Sequence, residues 1–322
     1  MRGTKLYREQ YTLGDVVASG GFATIYRAVE NGRAEEVAIK ICSQHDDPVY
    51  DTSIIKEAEL IQRFTHRNIV ALLPIPRHAR ASVYHARATE FPHNPAFFVM
   101  EYLPGGTLNG YLEQIGRLTI PEAAAIGLEV ARALDHIHRK GYAHNDLKLE
   151  NLVFRKPVVA GQPFTPVLVD FGVATRVAPP AAATLYIMSP EQVEQTNMNT
   201  PPELAKATDQ VKVDVWGLGI VLYRMLGGRL PFEGRTERSL TQQILQTRPT
   251  SLHKLSPEIS PYLDELIIDG CLAKEPGYRL PLLELGRELS NLVSDQTVVA
   301  RLSGSKSSTK EESTKPKWWP FK

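Results

Sequence analysis

At Pro104-Gly105-Gly106 the chain changes character, and this change constrains its fold more than any other feature. Before it, residues 11–42 alternate apolar and polar in the manner of strands, punctuated by turns at Gly20-Gly21 and Asn31-Gly32. A helix is expected from about Thr52 to Thr65, because Ile54, Ile55, Ala58 and Ile61 recur at three- and four-residue spacings. Residues 81–103 read as two more strands, interrupted by Pro92-His93-Asn94-Pro95. After the glycines, a long apolar-periodic helix is expected from Pro121 to His138, and helical patterns dominate to about residue 297. That order predicts a small β-rich lobe joined to a larger α-rich one.

Composition removes several function classes. A net charge of +1 over 322 residues leaves no broad electrostatic attraction for a nucleic acid. Cys42 and Cys271 are the only cysteines and have no metal-ligand spacing, which fits a reducing, cytoplasmic setting and no disulfide framework. Residues 1–17 carry charges and lack an apolar core, so no signal peptide is expected. The longest apolar stretch, Val213 to Leu226, includes Asp214 and Arg224 and is too short for a bilayer, so a buried helix is expected there. Residues 303–317 are rich in Ser, Thr, Lys and Glu, a composition that cannot bury a core and predicts disorder. The tail's five lysines and its Trp318-Trp319-Pro320-Phe321 segment fit either a solvated extension or a weak membrane-surface or partner contact.

Four clusters carry chemistry. In Val17-Ala18-Ser19-Gly20-Gly21-Phe22-Ala23-Thr24-Ile25, glycines between two strands let backbone N–H groups approach phosphate oxygens, although such hairpins also form as plain turns. Lys40 ends the strand Val37-Ala38-Ile39-Lys40, and Glu57 on the next helix could hold it against a phosphate; the rival is a surface ion pair. In His144-Asn145-Asp146-Leu147-Lys148-Leu149-Glu150-Asn151, Asp146 could orient and deprotonate a hydroxyl, Lys148 could neutralise a phosphoryl group, and Asn151 could ligate Mg²⁺. Asp170-Phe171-Gly172 follows the apolar run Val167-Leu168-Val169, 19 residues after Asn151, and reads as a metal ligand on a hinge.

In order and spacing these clusters, with Ser189-Pro190-Glu191, Asp214-Val215-Trp216-Gly217 and Arg279, make the chain similar to the eukaryotic-type protein kinase superfamily over residues 11–297. The resemblance implies an α+β, bilobal protein kinase fold, with a small antiparallel sheet lobe carrying one helix (11–103) and a larger helical lobe (104–297) ahead of the tail at 298–322. It implies an enzyme that uses ATP and Mg²⁺ to phosphorylate protein substrates. Lys40, held by Glu57, would contact the α/β-phosphates beneath the turn formed by Ala18, Ser19, Gly20, Gly21, Phe22, Ala23 and Ile25. Asp146 would be base and orienter, Lys148 would meet the γ-phosphoryl, and Asn151 and Asp170 would hold Mg²⁺. Ala38 and Leu152 would sandwich the purine, and the backbone from Glu101 to Leu103 would bond it behind Met100. Lys148 and Thr184 resemble the serine/threonine-specific members. His144 and Phe171 are expected to pack with Ile61, Asp214 to cap the catalytic-loop backbone, and Glu191 to form a buried ion pair with Arg279.

Three departures shape the expectation. Ala18 and Ala23 stand where the family prefers glycine, which predicts weaker ATP binding. Asn145 replaces the arginine that pairs with a phosphorylated activation loop, and residues 173–183 offer a single hydroxyl, Thr175, so activity without that switch is expected. The stretch from Glu191 to Asp214 is about ten residues longer than usual in the family, a surface insertion or a docking element. The altered loop and Asn145 also motivate an alternative, a pseudokinase-type interaction module; the intact polar set at 40, 57, 146, 148, 151 and 170 weighs against it.

Overall fold

A computed structural model describes residues 2–43, 48–78, 81–159, 161–172, 185–197 and 210–302. The chain divides into two compact units, Met1–Gln114 with Arg132–Ala183, and Ile115–Ala131 with Thr184–Lys322.

The first unit is built on an antiparallel sheet. Strands β1 (Lys5–Leu6), β2 (Tyr11–Ser19), β3 (Ala23–Glu30) and β4 (Glu35–Cys42) follow one another and are succeeded by helix α1 (Pro48–Ile61). A hairpin of β5 (Ile75–His78) and β6 (Ala81–Val83) leads to β7 (Ala86–Arg87) and β8 (Ala96–Glu101). The six-stranded sheet runs β1-β2-β3-β4-β8-β7. Because side chains alternate across a strand, Val37, Ile39 and Ile41 join Phe97 and Val99 in one apolar core. Ala38 and Lys40 therefore share the opposite face, paired in register with Met100 and Phe98 of β8. Helix α1 buries Ile54, Glu57, Ala58 and Ile61, a single stripe at helical spacing. It starts at Pro48, four residues ahead of the expected Thr52, since proline's fixed φ suits a first helical turn.

Helices α2 (Leu108–Ile115) and α3 (Ile120–Arg139) come after the glycine pair, then the short antiparallel pair β9 (Leu152–Phe154) and β10 (Pro166–Leu168). Gly105 explains its own identity. Its N–H bonds Phe154 O at 3.0 Å, and a Cβ there would lie 2.3 Å from that carbonyl and 2.4 Å from Lys156 O. Only glycine lets the connector lie this close to β9.

The second unit is helical. It comprises α4 (Pro190–Asn197), α5 (Gln210–Gly227), α6 (Glu237–Gln246), α7 (Leu252–Leu255), α8 (Pro261–Ile268) and α9 (Leu282–Leu302). Helix α5 contains the apolar run Val213–Leu226 and is buried almost all round, as a helix apolar on every side must be. Trp216 stacks on Phe232 with centroids 5.6 Å apart and rings 5° from parallel. Caps hold the shorter helices. Thr236 and Ser239 form a reciprocal capping box on α6, and Asp264 accepts from Ser251 Oγ and Leu252 N at the start of α7. Helix α9 runs on to Leu302, past the residue near 297 where the sequence pattern fades. Among the described residues, no helix is long and apolar enough to cross a membrane. The sheet with one helix and the helical remainder make the α+β class expected from the sequence.

Candidate active site

Lys40 lies where β4 meets α1. Its Nζ donates to Glu57 Oε1 and Oε2 at 2.8 and 2.7 Å and to Asp170 Oδ1 at 3.0 Å. Burial works to lower the ammonium's pKa, but Glu57 and Asp170 outweigh it and hold Lys40 above the ordinary lysine value. Burial likewise pushes Asp170 up, and the contact with Lys40 reverses this, bringing the carboxyl down to about 2. Glu57 is pushed up by burial, a shift only partly offset by Lys40. The Phe171 N–H also donates to Glu57 Oε1, at 3.2 Å, so this carboxylate joins β4, α1 and the Asp-Phe-Gly segment. The rival reading of a solvated surface pair does not fit a lysine and a glutamate that are both buried.

A second cluster sits on the loop between α3 and β9. Lys148 Nζ donates to Asp146 Oδ2 at 2.7 Å. The Asn151 amide donates to the same oxygen at 3.0 Å and to Asp146 O at 2.9 Å. Asp146 Oδ1, in contrast, is buried without a hydrogen-bond partner among the described residues. A buried carboxylate oxygen left unpaired is costly in a protein interior unless it serves something that comes and goes. His144 braces the loop: Nδ1 accepts from Asp146 N at 3.3 Å, so Nε2 carries the proton and donates to Val169 O at 3.2 Å. Asn145, at φ 64°, holds the left-handed conformation that asparagine tolerates better than most side chains. The two clusters share a backbone frame, since Val169 N donates to Asn151 O at 2.9 Å and β10 ends two residues before Asp170.

The glycine-rich turn lies beside Lys40. Ala18 pairs with Ile25, and Ile25 with Lys40, across β2, β3 and β4. Residues Ala18 to Phe22 are exposed, while Ala23 is buried. Neither Gly20 nor Gly21 has a left-handed φ, and a Cβ at Gly21 would meet nothing within 4 Å. Nothing in the chain's own packing demands glycine there, which suits a turn that must let a phosphate group close to its backbone. Asp170 offers a carboxylate oxygen, and Asn151, its amide nitrogen committed to Asp146, offers its carbonyl oxygen. Two oxygen donors of this kind match a hard cation such as Mg²⁺. The residues present therefore fit both groups that the sequence resemblance implied.

Of the purine-site residues, Ala38 and Leu152 are buried on β4 and β9. Glu101 ends β8, its N–H donating to Ala71 O at 3.0 Å while its carboxylate takes Ala71 N at 2.9 Å and pairs with Arg155. Leu103, two residues on, is half-buried. Sequence reasoning missed Arg155, which also donates to Arg67 O at 2.9 Å, and it missed Phe64. Phe171 meets the His144 ring at 5.0 Å and the Phe64 ring at 5.5 Å; Ile61, the residue expected beside it, is buried one turn earlier on α1. Phe64 had no signal beyond an apolar side chain in the last turn of the helix expected to reach Thr65, whereas α1 ends at Ile61.

Glu191 and Arg279 form the expected pair, bidentate at 2.6 and 2.7 Å, with Arg279 buried and Glu191 partly buried. Asp214 is buried on α5. Thr175, Thr184, most of the insertion after Gln195 and the tail from residue 303 lie outside the described residues. Among those described, no group of three His, Cys, Asp or Glu side chains is placed to hold a metal ion.

Comparison with known proteins places this geometry in context. The family model described as protein kinase domain matches residues 11–288. Mouse sperm motility kinase 3A is 27% identical over 259 residues, covering 80% of this chain and 46% of that protein. The serine/threonine-protein kinase RAD53 of Saccharomyces cerevisiae is 24% identical over 275 residues, 82% of this chain and 31% of its own length. A probable serine/threonine-protein kinase PknB of Lactococcus lactis is 25% identical over 274 residues, covering 82% and 39%. The chain thus spans about half or less of the length of these curated relatives.

Proposed function

The chain belongs to the protein kinase family, and from that membership we propose that it transfers the γ-phosphoryl group of Mg-ATP to serine and threonine hydroxyls of protein substrates. The observation that carries this reading is the pair of clusters: Lys40 bound between Glu57 and Asp170, and Asp146 held on one oxygen only. Names of relatives such as the two serine/threonine kinases support the hydroxyl class.

In this proposal the protein does little covalent chemistry; it positions groups and balances charge. Lys40, its ammonium secured by Glu57, binds α/β-phosphate oxygens. The backbone of Ser19, Gly20 and Gly21 covers the phosphates, with Ala18, Phe22, Ala23 and Ile25 shaping the turn. Ala38 and Leu152 hold the purine from two sides, and the backbone from Glu101 to Leu103 bonds its edge. Asp146 orients the substrate hydroxyl and accepts its proton at Oδ1, the oxygen that no group among the described residues occupies. Lys148 meets the transferring group. Asn151 and Asp170 would hold Mg²⁺, which when bound neutralises phosphate charge. The catalytic domain comprises residues 11–297, the sheet lobe up to 103 and the helical lobe beyond; the boundary with the tail at 298–322 falls within α9, which runs on to Leu302.

Purified protein with labelled ATP, Mg²⁺ and a generic protein substrate tests the proposal. Label is expected on phosphoserine and phosphothreonine. Label on tyrosine alone overturns the specificity, and intact ATP binding with no transfer to any protein favours the interaction module.

Regulation is part of the same proposal. With Asn145 in place of an arginine, the catalytic loop lacks the cation that would read a phosphorylated activation loop. Thr175→Ala is expected to leave turnover unchanged. A large drop restored by Thr175→Glu would show that the switch exists.

A further inference from the structure

The tip of the glycine-rich turn is attached to helix α1 by an aromatic pair that the phosphate-binding reading does not use. Phe22 stacks on Tyr50 with ring centroids 5.0 Å apart and planes 22° from parallel. Phe22 is 48% exposed, so the pair is not part of a core. Gly20 N bonds Ala23 O within the turn at 2.9 Å, Ser43 N donates to Phe22 O at 3.0 Å, and Ser19 and Thr24 hydroxyls lie 3.4 Å apart. Two consecutive glycines leave the backbone of such a turn with many accessible conformations. The Phe22 ring gives it a side-chain anchor outside its own hairpin.

The position of Tyr50 gives that anchor its meaning. Tyr50 and Glu57 are seven residues apart on α1, two helical turns, and so lie on one face about 10.5 Å apart along the axis. Glu57 fixes the far end of that face to Lys40. One residue on from Tyr50, about 100° round the helix, Asp51 accepts from Ala96 N at 2.8 Å and pairs with Arg87. Helix α1 is thus a rod pinned to the sheet at Lys40 and to the turn at Phe22.

We propose that Tyr50 is a positioning residue for nucleotide binding, holding the glycine-rich turn over the phosphates by stacking on Phe22 and coupling that turn to the helix that carries Glu57. The proposal rests on the nucleotide-binding reading above. It also bears on the alanines at 18 and 23: a turn with fewer glycines at its flanks keeps two at its tip, and the stack supplies the order that those two remove.

The experiment has a nucleotide-free arm and a nucleotide arm, on the full chain. Without nucleotide, Tyr50→Ala is expected to speed hydrogen exchange at the amides of residues 19–23 while the melting temperature stays near wild type. With nucleotide, it is expected to raise KM for ATP, and the calorimetric Kd for Mg-ATP, about three- to tenfold. The turnover number and the KM for protein substrate should stay near wild type. Tyr50→Phe keeps the ring and should match wild type in every readout. Phe22→Ala with Tyr50→Ala should be no weaker in ATP binding than the worse single variant. Unchanged exchange at the turn, unchanged ATP affinity in Tyr50→Ala, an equal loss in Tyr50→Phe, or additive losses would each overturn the stack. A wild type that binds Mg-ATP but transfers nothing overturns the kinase reading alone, because exchange and Kd still decide the role of Tyr50. A wild type that binds no nucleotide overturns both.

Discussion

Asp146→Ala is expected to lower phosphoryl transfer by about 10²- to 10⁴-fold while leaving Mg-ATP affinity near that of the wild type. The asymmetry of the Asp146 carboxylate is the reason. Oδ2 is occupied by Lys148 and Asn151, which fix the side chain's orientation, and Oδ1 is buried and unpaired among the described residues. A purely structural aspartate would use both oxygens, because an orphaned buried acceptor costs about 1–3 kcal/mol. One oxygen held back at that cost is what a proton acceptor for a transient hydroxyl requires. The nucleotide, in contrast, is gripped in this proposal by Lys40 and the turn at 19–21, which do not touch Asp146. Steady-state turnover and calorimetric Mg-ATP binding on the same preparation separate the two. Asp146→Asn is the control for folding, since it keeps the shape and can still accept at Oδ while offering no base; it should be nearly as inactive as alanine. If Asp146→Ala retained turnover within tenfold of wild type, Asp146 would not be the base, and the chemistry would have to be sought elsewhere.

How far the sequence alone reaches can be judged residue by residue. The strands around Lys40 were legible in two ways: β3 alternates, a direct consequence of strand geometry, while β4 and β8 are buried over most of their length and show as short apolar runs. Helix α1 was legible from Ile54, Ala58 and Ile61, but its start was not, because Pro48 follows a polar stretch whose periodicity says nothing. The short strands β1, β5 and β9 were missed, since two to four residues are too few to display a period. Lys40, Glu57 and Asp170 were legible only as motifs: 130 residues separate the lysine from the aspartate it contacts. Pairing across such distances depends on tertiary packing, and where no motif marks a residue nothing in the chain announces it. That is why Phe64 beside Phe171, Arg155 beside Glu101 and Tyr50 beside Phe22 emerged only from the fold.

Arg279→Leu is expected to destabilise the helical unit by about 3–5 kcal/mol, lowering the melting temperature by roughly 10 °C. The guanidinium is buried and uses its whole donor fork. Two bonds go to Glu191, and the others reach Ala273 O at 2.9 Å, Lys212 O at 3.0 Å and Lys274 O at 3.2 Å. Leucine would leave Glu191 as an uncompensated carboxylate and strip three carbonyls of their donor. Arg279→Lys should rescue little, because an ammonium cannot make the bidentate pair and reach the carbonyls at once. Arg279 also lies 5.0 Å from the Trp216 ring centroid, and its charge opposes that of Lys274. Burial, reinforced by the Arg279 charge, brings Lys274 down to about 7, even though its Nζ sits 3.9 Å from the Phe232 centroid and donates to Ile244 O. Removing Arg279 relieves that repulsion, so part of the loss is returned, which places the expected cost toward the lower end of the range. Glu191→Leu combined with Arg279→Leu should be more stable than Arg279→Leu alone, since the pair is then replaced by apolar groups instead of broken. Denaturant titrations of the four proteins in that cycle measure the coupling directly. A single-variant loss below about 1 kcal/mol would mean that the pair behaves as an exposed salt bridge does, and that Glu191 and Arg279 do not hold this unit together.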